Sequence, residues 1–278
     1  MRALHTFRSR GDSARLDDFE LFVLLLSALE WREHNGEIIL YTDRVGQSYL
    51  EEMGLMSAWN EIKVVLDDMI SLEIDEKVFW AGSKIFALAK EQAPCVIMDL
   101  DFILWKHIDF DVYGHDLAVI HLENICDGVY PPKKRFSFTG GWTLPAWLNW
   151  SVLPANGALV YHGGQRLLHA YTDFAIDFMR HAADHDDRLH YMVFIEQRWL
   201  SMCAKHLSVT LHEISSLENL FGGQKYFTHI WGYKQKLRRE PEFAEKFCFD
   251  CARRLRQDFP DFANKLAMME WAAPYFKE

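Results

Sequence analysis

The sequence predicts an α/β fold built on a largely parallel sheet, and three observations carry that reading. Short apolar runs of strand length at 37–41 (EIILY), 62–66 (IKVVL) and 95–98 (CVIM) alternate with stretches of helical spacing. Strand, helix, strand, repeated, is the order that places helices on the faces of a parallel sheet. The 278 residues, 50% hydrophobic and 25% charged, are enough to bury such a core.

Each element has its own local reason. Residues 2–7 read as a first strand. Residues 17–33 space Phe19, Phe22, Val23, Leu26 and Leu29 helically, opened by an Asp17/Glu20 capping box and closed by Asn35 and Gly36. A strand over 37–41, a short helix over 48–53, a strand over 62–66 and a helix over 77–91 follow. Pro94 then introduces the strand 95–98, which runs straight into Asp99. Beyond Trp105 the alternation loosens. Strands are expected at 117–121, 158–161 and 208–211, and helices at 167–181 and 192–205. Residues 131–154, rich in Gly, Pro and Trp, read as long loops, and from Lys236 onward the chain reads as a basic, aromatic helical tail. No internal repeat, low-complexity stretch or Gly/Ser-rich linker divides the chain.

Charge and patterning exclude several function classes. Thirty Lys and Arg against forty Asp and Glu leave a net charge of −10, which argues against nucleic acid as a partner. The longest apolar run, 21–29, is shorter than the roughly 20 residues a membrane-spanning helix needs. Peripheral membrane contact through the basic tail stays open. The N-terminus lacks the apolar stretch of a secretory signal, and five cysteines, an odd number in a chain this long, do not suggest a disulfide framework. A cytoplasmic location is expected.

The most informative segment is 96–105, VIMDLDFILW. In open α/β sheets ligands bind beyond the carboxyl ends of strands, so Asp99 and Asp101 are delivered to where chemistry is done. Two apart in an extended segment, they face the same side and repel unless a cation lies between them. A hard ion, Mn²⁺ or Mg²⁺, held at about 2.1 Å by carboxylates and substrate phosphates, is the natural neutraliser. One class with such a pair is the haloacid dehalogenase-type phosphohydrolases, in which Asp99 would be the nucleophile. Phe102 and Ile103 replace the small residues expected after that motif, which makes this the alternative reading. A non-catalytic sugar-binding module is a third.

Five fragments together resemble the GT-A glycosyltransferases. The Asp99, Leu100, Asp101 triplet is similar to their DxD motif, and the 79–84 segment (FWAGSK), expected to be helical, resembles the one that closes over the nucleotide. Asn156, Gly157, Ala158, Leu159, Val160 resembles the turn and strand of the acceptor half, and Glu196 with Gln197 the acidic residue and glutamine late in such domains. His229, Ile230, Trp231, Gly232, Tyr233, Lys234 resembles the His, x, x, Gly, x, Lys signature of glycosyltransferase family 8, a glycogenin-like and galactosyltransferase-like retaining family.

The resemblance implies a GT-A, Rossmann-like α/β fold: a catalytic domain over 1–235, divided into a nucleotide-binding half (1–111) and an acceptor half (112–235), with a helical appendage over 236–278. It implies transfer of a hexose from a nucleoside diphosphate sugar, a UDP-sugar, to a carbohydrate hydroxyl with retention of anomeric configuration. Asp99, Asp101 and His229 would ligate Mn²⁺ or Mg²⁺, with Asp99 also near the ribose. Lys234 and the backbone at Gly232 would contact the diphosphate, Thr6 the base or ribose, and Lys84 and Asn156 the donor. Glu196, with Gln197, would be catalytic. Elementary chemistry supports this division, since a metal and a lysine stabilise the charge that grows on a departing diphosphate.

Other constellations are weaker. Trp142, Trp147 and Trp150 form a candidate acceptor wall, because aromatic faces pack on sugar rings. His181 and His185 could bind zinc but lack a third ligand of matching spacing. Cys248 and Cys251 read as core positions on a helix.

Overall fold

A computed structural model describes residues 1–9, 11, 13–221 and 223–277. In chain order the regular elements are β1 (Ala3–Phe7), α1 (Asp18–His34), β2 (Ile38–Thr42), α2 (Arg44–Glu52), β3 (Glu61–Val64), α3 (Gly82–Ala89), β4 (Cys95–Met98), β5 (Phe102–Leu104), β6 (Leu117–Val119) and β7 (Leu159–His162). There follow α4 (Gln165–His181), α5 (His190–Val193), a π-helical turn (Phe194–Arg198), α6 (Trp199–His206), β8 (Leu211–Glu213), α7 (Leu217–Phe221), β9 (Phe227–His229), α8 (Lys234–Arg239), α9 (Pro241–Asp258) and α10 (Pro260–Leu266). The α/β class is the one the sequence predicts.

The chain forms two compact units, each discontinuous in sequence. Unit 1 is Leu66–Met98 with Asp109–Gln224 and Met1; unit 2 is Arg2–Val65, Asp99–Ile108 and Lys225–Glu278.

In unit 2, β1 pairs in parallel with β2 and β2 with β3. Every residue of β1 and β2 is buried, as the continuous apolar reading of a parallel strand requires. Helix α1 opens on the expected capping box, with Glu20 accepting from the Asp17 backbone. It buries Phe19 and all of Leu21 to Trp31, so it is a core helix apolar on nearly all sides. The C-terminal segment packs on it: Trp271 meets the Phe22 ring at 5.1 Å, the Tyr275 hydroxyl donates to Asp18 at 2.7 Å, and Arg238 pairs with both Asp17 and Glu20.

In unit 1 the strand order is β4, β7, β6, β8, with antiparallel β4/β7 and β6/β7 pairs and a parallel β6/β8 pair. Helix α4 packs against α3 and α6 and buries one stripe, including Leu167, Leu168, Tyr171, Ala175 and Phe178.

Three local expectations are corrected. The helix expected over 77–91 is shorter, because the Asp75 side chain accepts from the Lys77 N–H and its carbonyl from the Val78 and Phe79 N–H groups, holding that stretch in turns until Gly82. The strand expected over 208–211 begins at Leu211, because Ser208 adopts a left-handed conformation (φ 57°) and Val209 N–H closes onto Ala204. Strands β5 and β9 have no counterpart among the expected elements, and they build the site.

Candidate metal and diphosphate site

Asp99, Leu100 and Asp101 form a turn, closed by the Phe102 N–H donating to the Asp99 carbonyl at 3.2 Å. The two carboxylates therefore converge through a turn and not, as expected, through an extended segment. The chain then enters β5, which pairs antiparallel with β9 in the register Phe102 to His229, Ile103 to Thr228 and Leu104 to Phe227. Phe102, Ile103 and Leu104 are all buried, and a slip of one residue would turn each side chain to the opposite face and lose its packing. Phe102 stacks on Phe227 with centroids 5.0 Å apart, and Trp105 donates to the Thr228 hydroxyl at 2.8 Å.

The register delivers His229 to the acid pair. Its Nε2 stands 3.5 Å from Asp101 Oδ1 and 3.8 Å from Asp99 Oδ2. Among the described residues, Asp99, Asp101 and His229 are the group of three able to hold one ion, their ligand atoms all within 4.8 Å of one another. The fit is chemical as well as geometric. His229 Nε2 is buried and makes no hydrogen bond, whereas neighbouring ligands on an ion at about 2.1 Å lie on the order of 3 Å apart. Two carboxylates and an imidazole offer the oxygen and nitrogen donors that a divalent cation takes.

Lys234, in the first turn of α8, places its ammonium 2.8 Å from Asp101 Oδ2. Burial works to raise the Asp101 pKa, but the facing His229 and the Lys234 charge outweigh it and hold the carboxyl well below its usual range. Ile230 N–H donates to the Asp101 carbonyl at 3.2 Å, so the residue after His229 is tied to the same aspartate.

A buried relay supports β5 from behind. Trp59 Nε1–H donates to His5 Nδ1 at 3.2 Å, which leaves the His5 proton on Nε2, 3.1 Å from the Ser27 hydroxyl. Ser27 in turn donates to the Phe102 carbonyl at 2.5 Å. Burial pulls the His5 pKa down to about 3, against the opposing pull of Asp101, so the ring is neutral. His5 and Ser27 were missed as supporting residues. The available signal is one histidine in a short buried strand and one serine within the apolar run of a helix. Thr6, one residue on, is buried in β1 opposite Tyr41.

Gly232 lies in unit 2 with Lys234, and the expected residues Lys84, Asn156, Glu196 and Gln197 lie in unit 1. Lys84 is buried in α3, its ammonium 2.5 Å from Glu196 Oε1 and 2.8 Å from the Gly157 carbonyl. A Cβ on Gly157 would stand 3.0 Å from Glu196 Cδ, so the glycine lets that carboxylate lie against the main chain. Asn156 donates to Glu123 at 2.9 Å, and Gln197 accepts from the Tyr130 hydroxyl at 2.5 Å. Glu196 and Gln197 both sit in the π-helical turn, a local irregularity frequent at functional sites.

Residues 15–269 match the model of a family of unknown function, DUF6734. The chain belongs to the DUF6734 family. No curated protein matches its sequence. Among solved structures, this DUF6734 chain is similar to mouse xyloside xylosyltransferase 1 in its apo form, at 14% identity and a TM-score of 0.40, covering 77% of this chain and 84% of that one.

In this DUF6734 member the tryptophans at 142–150 pack against the protein's own rings. Trp142 stacks on His181 and donates to Asp177 at 2.6 Å, Trp147 stacks on His206, and Trp150 stacks on Phe194 and carries the Arg198 guanidinium. These contacts fasten the loop within unit 1, with Trp147 still 37% exposed. His185 pairs with Asp75 and His181 with the Asp177 carbonyl. The five cysteines are free, and burial raises the thiol pKa of Cys248 to about 12. Among the described residues, no helix is long and apolar enough to cross a membrane.

Proposed function

We propose that this chain is a metal-dependent glycosyltransferase that moves a hexose from a UDP-sugar to a carbohydrate hydroxyl with retention, in a GT-A-type fold whose catalytic machinery lies within residues 1–235 and which works in the cytoplasm. One observation carries the reading: two acids, an imidazole and a lysine, distant in sequence, meet around Asp101.

Asp99, Asp101 and His229 would hold Mn²⁺ or Mg²⁺, which when bound neutralises the diphosphate of the donor. Lys234 adds a second positive charge beside it. Its ammonium is half-exposed and paired to one carboxylate oxygen, so it can turn to a phosphate without leaving an unpaired buried charge. Gly232, two residues before it, leaves the main chain open: a Cβ there would meet nothing within 4 Å. Thr6, Lys84 and Asn156 are proposed to contact the donor. Glu196 is proposed as the carboxylate acting on the reacting sugar or acceptor, with Gln197 beside it in sequence.

The test is a thermal-shift panel of sugar nucleotides with and without Mn²⁺, since a ligand that binds only the folded state raises its melting temperature. Stabilisation by UDP-sugars that needs the metal is expected. Hydrolysis of phosphate monoesters through an aspartyl phosphate at Asp99, with no response to sugar nucleotides, would install the phosphohydrolase reading instead.

A further inference from the structure

Trp231, Gly232 and Tyr233 form a single 3₁₀ turn between β9 and α8. The turn is fastened at both ends to one aspartate. At its start the Ile230 N–H donates to the Asp101 carbonyl, and at its end the Lys234 ammonium meets the Asp101 carboxylate at 2.8 Å. Ile230 itself is buried, and its carbonyl accepts from both the Tyr233 and the Lys234 N–H, at 2.8 and 3.1 Å. The turn cannot move relative to the acid pair without breaking these bonds.

What this rigid turn presents is aromatic. Trp231 is 76% exposed and Tyr233 59%. Among the described residues neither ring stacks on another, and neither the indole N–H nor the phenol has a hydrogen-bond partner. The glycine between them serves no packing need, because the space in front of it is open, and its φ lies outside the left-handed region. Two unpartnered aromatic faces flanking an open backbone, held in fixed register to a candidate ion site, have the form of a stacking surface.

We infer that the Trp231–Tyr233 turn is the platform for the pyranose ring of the donor, the part of the site that reads the sugar. This rests on the glycosyl-transfer reading above. The Trp231 Cα lies within about 7 Å of that of His229, two residues away. The sugar is the ring bonded directly to a diphosphate held there, whereas the nucleobase is set off from it by the ribose. Asp99, Asp101, His229 and Lys234 grip the diphosphate whatever sugar it carries. The aromatic turn adds affinity only when a ring with an apolar C–H face is attached.

The test uses the full chain with Mn²⁺ and measures by calorimetry the affinities of UDP, UDP-glucose, UDP-galactose, UDP-N-acetylglucosamine and UDP-xylose. At least one UDP-sugar should bind more tightly than UDP. Trp231→Ala should weaken that ligand about five- to tenfold while leaving Mn²⁺ and UDP affinity and the melting temperature unchanged, and Trp231→Phe should restore most of the loss. Equal loss for UDP and the UDP-sugar would assign the turn to the nucleoside and overturn the inference. So would unchanged affinity in Trp231→Ala, or UDP binding as well as every UDP-sugar; either leaves the metal and diphosphate reading standing. If wild type binds none of the five with Mn²⁺, the glycosyl-transfer reading itself falls and takes the platform with it.

Discussion

Phe102 lies directly opposite His229 in the pairing of β5 with β9, and its ring meets the imidazole edge to face at 5.7 Å. That one register position turns a long separation in sequence into a shared site, because Asp101 is the residue before Phe102. The site is thus built by a two-stranded sheet of three residues a side, and its integrity depends on the apolar residues that hold the register.

Phe102 is fully buried, so Phe102→Leu is expected to cost on the order of 1–2 kcal/mol of stability. Because the same ring backs His229, the variant should also bind Mn²⁺ more weakly than wild type when both are folded. Denaturant unfolding and calorimetry on the same preparation check both halves. Normal metal affinity despite the lost stability would separate the register from the site.

Two glycines make a steric contrast. A Cβ on Gly163 would stand 2.2 Å from the Gly114 carbonyl oxygen and 2.6 Å from that of Asp116, both main-chain atoms, while one on Gly128 would meet nothing within 4 Å. Gly163→Ala should therefore lose more than about 2 kcal/mol, and Gly128→Ala less than about 0.5 kcal/mol. Melting temperatures of the pair suffice, and similar values for both would refute the packing described at Gly163.

Much of this was legible in the sequence, and the parts that were not share a cause. The capping box at Asp17 and Glu20, the strand at 95–98 and the acid pair Asp99 and Asp101 depend on spacing and on residue chemistry, which a sequence displays directly, whereas His229 was singled out only by the resemblance of 229–234 to a family signature. Strands β5 and β9 are three residues long, too short for any periodicity, and exist because they pair with each other. The stretch 77–81 has helical spacing, yet Asp75 takes its N–H groups locally, Lys77 through the side chain and Val78 and Phe79 through the carbonyl. The tryptophans at 142, 147 and 150 suit a sugar wall or a core equally well by composition, and only the partners His181, His206 and Phe194 decide. Lys84 and Glu196 were each expected to carry chemistry, and nothing local announces that they pair.

The side chains of Lys84 and Glu196 are each 9% exposed. Removing one partner strands a buried charge, so Lys84→Met alone should cost about 3–5 kcal/mol. Replacing both with apolar residues of similar size should cost clearly less than the sum of the single changes. A double-mutant cycle by urea unfolding gives the coupling, and strict additivity would contradict the pair as described.

Glu30 gives the chain a pH dependence. Its side chain is 1% exposed, and burial lifts its pKa from 4.5 to about 7, against the pull of Arg254 and with a further push from Asp258 and Glu33; His34 faces it at 3.3 Å. The folded state therefore binds the extra proton between those two values, and the stability this contributes, complete below pH 4.5, is lost as the pH rises through 7. Glu30→Gln should be more stable than wild type at pH 8, by up to about 3 kcal/mol, and equal to it near pH 4.5. Parallel unfolding curves across that range would show a constant difference if Glu30 does not titrate there.

The most direct measurement is a Mn²⁺ titration of the 278-residue chain followed by electron paramagnetic resonance, for wild type and for His229→Ala. One ion per chain is expected in wild type, with affinity reduced at least about tenfold in the variant and an unchanged melting temperature in the absence of metal. Equal affinity in the two proteins, or no bound ion in wild type even with UDP present, would contradict the gathering of Asp99, Asp101 and His229 on one cation.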